Sequence, residues 1–241
     1  MRTSSLAYTL YFTDKAYIMP DPTKPNPISA YIGIGAAIGM AISDMILLGV
    51  PRAGWEGDLS SFSLLSQVSM WRIQIGTLMG WICSFFICFG FWYMKQMMAH
   101  PHPRLALIMF TSLSSYMIFG GAFHAGYYFA GAAWHAGDMA LYDACIAQLK
   151  IMSYVSAVGL VIGTSLYIYM LAFTPNHFPK WLKFINLLVL QGLCLGLFSI
   201  LPAPVGGFLK PTFINVATVI FFCFQLWVMK TKNPETRPGI S

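Results

Sequence analysis

Polarity along this chain alternates between long apolar runs and short polar breaks, on a scale of about twenty residues. The runs cover roughly residues 28–50, 72–94, 104–126, 151–173, 181–201 and 211–229, each bounded by Pro, Gly or charge. A helix needs about 20 apolar residues to cross the hydrocarbon core of a bilayer. The pattern therefore predicts an all-α, polytopic membrane bundle of six transmembrane helices. Residues 1–27 form a polar and aromatic N-terminal arm whose last stretch is too rich in proline for a helix. Residues 28–230 make the six-helix transmembrane domain, and 231–241 a short basic tail.

Composition strengthens this reading. Hydrophobic residues make up 57% of the 241 positions and charged residues 9%, too few to clothe a globular surface in water. A net charge of +6 suggests nucleic acid in a soluble protein. Here the basic residues sit at the ends of apolar runs, where they act as topology signals facing anionic lipid, so membrane lipids are the expected partners and nucleic acid is not. Ten of the fourteen Lys and Arg fall in the N-terminal arm, the 95–104 and 174–183 breaks and the C-terminal tail. Arg52, Arg72, Lys150 and Lys210 fall on the other side. The asymmetry predicts both termini in the cytoplasm, and the composition as a whole fits a bacterial cytoplasmic membrane. No stretch before residue 28 has the apolar core of a signal peptide. Trp71, Trp92, Trp181 and Trp227 fall near run ends, at the expected membrane interfaces.

Cys83, Cys88, Cys194 and Cys223 lie in apolar runs and Cys145 in an expected loop, which is no disulfide framework. The pairs Gly35/Gly39 and Gly159/Gly163 each put two glycines on one helix face. They read first as close packing within the bundle, with a homo-oligomer or membrane-complex contact as the alternative. Gly33-x-Gly35 opens no strand-to-helix turn, which argues against a nucleotide.

An ionisable side chain inside a bilayer costs roughly 2.5–3.5 kcal/mol on insertion scales, so each asks for a reason. Asp44 lies near the end of the first run, Arg72 opens the second, and His124 lies towards the end of the third. On the expected topology all three share a depth on the non-cytoplasmic side, where Glu56, Asp58, His135, Asp138, Asp143 and Lys150 also fall. The opposite halves of the runs are free of such residues. An Asp44–Arg72 ion pair and a hydrogen-bonded core histidine are the plain structural readings. A shared polar site is the functional one. Asp44, His124, His135 and Asp138 have the chemistry of zinc ligands, although no metal-binding spacing is present. A single histidine within a span argues against haem. His100 and His102 read as an ordinary loop. Gln191, Asn215 and Gln225 read as interhelical hydrogen-bonding groups, with Asn215 able to reach the polar site.

The stretch Ser43-Asp44-Met45-Ile46-Leu47, the pair Trp71-Arg72 and His124 together resemble a family of multi-pass bacterial membrane proteins without an assigned activity. The resemblance covers mainly residues 40–130 and implies that Asp44, Trp71, Arg72 and His124 act together. A more distant likeness to alkaline-ceramidase-type hydrolases lacks their three-histidine pattern and one of their seven spans.

The leading expectation is a membrane protein whose polar site, built from Asp44, Arg72, His124 and Trp71, binds or transports a small polar or anionic molecule or a lipid headgroup. A metal-dependent hydrolase acting on a lipid, with His124, His135, Asp44 and Asp138 as ligands, is the first alternative. A non-catalytic subunit of a membrane complex is the second. Whether the chain is an enzyme is left open by these residues.

Overall fold

The computed structural model describes residues 25–54, 56, 61–174 and 178–232. Most of the N-terminal arm, Asp58 and the tail beyond residue 232 lie outside the described residues.

Helix α1 (Pro27–Leu48) starts where Asn26 accepts a hydrogen bond from the Ile28 amide and Pro27 takes the first helical position, two devices that suit a helix N-terminus. A 3-10 turn (Ser61–Gln67) leads to α2 (Met70–Met98). Helix α3 (Pro103–Ala136) closes on Gly137, which adopts the left-handed conformation (φ 75°) that favours glycine at a helix end. Asp138 then caps α4 (Met139–Phe173) through its carboxylate. After a second 3-10 turn (Lys180–Phe184), Asn186 caps α5 (Leu187–Ser199). A five-residue helix, α6 (Val205–Leu209), and a 3-10 turn precede α7 (Phe213–Lys232).

Two features depart from the apolar pattern. Residues 127–150, expected as a polar loop, are almost wholly helical, so Cys145 lies on α4 and not in a loop. With 34 and 35 residues, α3 and α4 are each about 50 Å long at helical rise, well beyond a hydrocarbon core of about 30 Å. The fifth run is divided at Asn186, leaving α5 with 13 residues, about 20 Å. Among the described residues five helical segments are long and apolar enough to cross a membrane, and α5 is not. Its chain still travels from one end of the bundle to the other. Tyr167, near the end of α4, lies at the Leu182 and Ile185 carbonyls, whereas Leu201 accepts from the Gly54 amide beyond the end of α1.

Packing is sequential: α1 on α2, α2 on α3, α3 on α4, with α7 returning to α1 and α5 lying on α7. Close approach depends on small residues. A Cβ at Gly33 would lie 2.6 Å from the Gly90 Cα, and one at Gly76 would lie 2.7 Å from the Leu47 Cβ. Gly159 and Gly163 meet α3 at Ser112, Tyr116 and Leu113, so this glycine pair packs within the chain. The outward face of α2 carries Trp71, Ile75, Leu78, Ile82, Phe85, Phe89 and Trp92, all exposed. Small residues inside and large apolar ones outside is the arrangement a lipid solvent permits, since apolar surface costs nothing there.

Candidate functional site

Asp44 lies one turn before the end of α1 and is 4% exposed. Each of its carboxylate oxygens has a partner from a different helix. His124 of α3 presents Nε2 to Oδ1 at 3.2 Å, and Asn215 of α7 donates Nδ2–H to Oδ2 at 2.6 Å. His124 and Asn215 are 7% and 2% exposed. A carboxylate alone at this position would be costly; one bracketed by two donors is tolerable. Three helices distant in sequence are thus joined at one side chain.

The imidazole is held by absence as much as by contact. Its Nδ1 edge faces Gly80 of α2, where any Cβ would run into the ring; the Ser43 hydroxyl, bonded to the Gly76 carbonyl, lies against the same spot. Nδ1 has no hydrogen-bond partner among the described residues, and neither does Asn215 Oδ1.

Beside this cluster opens a cavity of about 490 Å³. Asp44, His124 and Asn215 belong to its wall, with Tyr116, Phe123 and Tyr127 of α3, Ser153, Ser156 and Ala157 of α4, and Gln191 of α5. Gln191 donates to the Tyr116 hydroxyl at 3.0 Å, and the Ser156 hydroxyl donates to the Tyr116 carbonyl at 2.9 Å. Met40, Leu48, Leu160 and Ile214 supply apolar wall. The volume suits a small organic ligand.

Arg72 is directed elsewhere. Its guanidinium donates to the carbonyls of Met45, Ile46 and Gly49 at the end of α1, where helix carbonyls lack a full set of intrahelical partners. A cation at that end also meets the negative pole of the helix. The Asp44–Arg72 ion pair expected from depth is therefore not formed, because the long arginine side chain reaches backbone instead. Lys180 treats the end of α4 alike, donating to Leu171 O at 2.8 Å. Trp71 is 60% exposed on the outer face of α2 and is not part of the cavity wall. Of the four expected binding residues, two are brought together and two are not.

The alternative zinc set is not brought together either. His135 approaches the Val68 carbonyl at 3.1 Å, and Asp138 spends its carboxylate on the Leu141 amide at 3.0 Å. Among the described residues no three His, Cys, Asp or Glu side chains gather as a metal site. Helix α3 runs unbroken from His124 to Ala136, which separates His135 from His124 by eleven residues along one helix, about 16 Å at helical rise.

Sequence reasoning passed over Tyr116, Ser153, Ser156 and Gly80. The two serines were readable as polar positions a helical turn apart in an apolar run. Nothing in the sequence marks Gly80 as the seat of His124.

Residues 24–232 match the model of a Family of unknown function (DUF6796), and the chain belongs to that family. No curated protein and no solved structure matches the chain.

Proposed function

We propose that this member of the family is a multi-pass membrane protein that binds a small molecule in the cavity at Asp44, His124 and Asn215, opening towards the non-cytoplasmic side, with both termini in the cytoplasm. The observation that carries the reading is the coincidence of a buried ionisable cluster, an unsatisfied acceptor on Asn215, and a cavity of ligand size at one place. A core that served stability alone would gain from filling that space, since packing to native density is favourable. Aromatic walls would hold the apolar part of a ligand, and the cluster its polar part.

The cavity also narrows the ligand. Among the described residues no Lys or Arg lines its wall, and Arg72 is committed to the end of α1. An anion therefore has no strong partner there, and a neutral or cationic ligand fits better. Hydrolysis through zinc has no ligand set to support it in the described residues. Binding in the course of transport and binding without movement share this site.

Native mass spectrometry on protein extracted from its membrane tests the proposal. Wild type is expected to retain a small-molecule adduct that Asp44→Asn and Asn215→Leu lose and Arg72→Gln keeps. No adduct on wild type, or adducts held equally by all three variants, would remove the support for a binding site.

A further inference from the structure

The charge balance and the shape of the cavity carry the reading one step further, to the class of ligand. Among the described residues Asp44 is the one carboxylate in the cavity wall, and no Lys or Arg joins it there. A carboxylate offers about four lone-pair positions, and only two are taken, by His124 and Asn215. Asn215 Oδ1 adds an empty acceptor on a side chain only 2% exposed. The amide cannot be turned to cure this, because its oxygen would then face the Asp44 oxygen. Tyr116, Phe123 and Tyr127 bring aromatic rings to the same wall, and such faces attract cations. Acceptors, a carboxylate and aromatic rings together describe a receptor for an ammonium group.

The remainder of the cavity describes what that ammonium is attached to. Met40, Leu48, Met117, Leu160 and Ile214 make the apolar part of the lining. On its open side the ring of helices is thin: α4 packs closely on α3 and only sparsely on α5. Ser153 and Ala157 of α4, both in the cavity wall, are exposed. Glycines 120, 192 and 196 have empty space where a side chain would be. The sparse packing of short α5 on α4 leaves a seam between them at the outer surface of the bundle.

We propose that the cavity receives a single-chain amphiphile with a primary ammonium head, which enters from the bilayer between α4 and α5 and places its nitrogen at Asp44 and Asn215. This rests on the binding reading above and adds the ligand's charge, its chain and its route.

The test uses the full chain in phosphatidylcholine nanodiscs and three probes that share one diazirine-bearing dodecyl chain, ending in an amine, an alcohol or a carboxylate. Peptide mapping after photolysis is expected to place the amine probe on α3 and α4 near Gly120, Ser153 and Leu160. Its yield should exceed that of the carboxylate by about tenfold or more, since a polar site rejects a head that leaves its groups unpaired. Asn215→Leu and Asp44→Asn should reduce the amine yield to the level of the alcohol. Ser153→Trp, which fills the seam away from the cluster, should reduce all three probes alike. Thermal unfolding of each variant separates lost binding from lost folding. Equal labelling by amine and carboxylate would overturn the ammonium assignment. Absence of every long-chain probe from the cavity, in a protein that still retains its adduct in native mass spectrometry, would overturn the amphiphile and its route while leaving the binding site standing. Loss of both signals would remove the binding reading itself.

Discussion

The contact between α1 and α2 and the seam between α4 and α5 use glycine in opposite ways. Along α1 and α2, Gly33 meets Gly90 backbone to backbone, Gly39 meets the Cys83 sulfur, and Gly76 meets Leu47. Gly120 of α3, in the cavity wall, and Gly192 and Gly196 of α5 have open space where a side chain would be. In lipid, helices gain little by hiding apolar surface and are held by close van der Waals packing and interhelical hydrogen bonds. The first contact has both; the second has little of either. The close contacts carry Asp44, Gly80 and His124, whereas the sparse contact of α4 with α5 borders the space where a ligand would lie.

The comparison can be broken most forcefully at its tightest point. Gly33→Val should push α1 from α2 and lower stability by about 3 kcal/mol, at the upper end of overpacking costs, measured by thermal unfolding in detergent. Asp44→Ala comes next. It strands His124 Nε2 and Asn215 Nδ2 together, at a cost of about 3 kcal/mol, and the adduct should be lost with it. Arg72→Gln removes a charged cap from three carbonyls, worth about 1–2 kcal/mol, yet should leave adduct retention unchanged. Gly192→Ala, on the open side, should raise stability by about 0.5 kcal/mol, because alanine is the better helix former where space is free. A Gly192→Ala as damaging as Gly33→Val would mean that the seam is packed after all.

How much of this was legible beforehand follows from what each residue must satisfy. The helices themselves were readable, because a bilayer demands long apolar runs and the chain supplies them. Their ends were less so. Polarity at His135, Asp138 and Asp143 suggested a loop, but the ends of α3 and α4 run on past the apolar stretch, where polar side chains cost nothing. Asn186 was hidden in an apolar run although its side chain stops one helix and starts another. Within the site, Asp44 and His124 stood out because buried ionisable groups need partners, and Asn215 because a polar amide in a span does too. Arg72 was misgrouped with them. Depth along a helix can be counted from sequence; the direction in which a long side chain reaches cannot. Gly80 carries no chemistry of its own and matters only through the ring that occupies its space.

The account turns on Asp44 being coupled to His124 and not to Arg72, and a pair of double-mutant cycles on equilibrium unfolding in mixed detergent tests this most directly. The cycle of Asp44→Asn with His124→Gln should give a coupling of at least about 1 kcal/mol, and that of Asp44→Asn with Arg72→Gln a value below about 0.3 kcal/mol. A large coupling to Arg72 with none to His124 would contradict the account, restoring the ion pair and removing the cluster on which the proposed binding site rests.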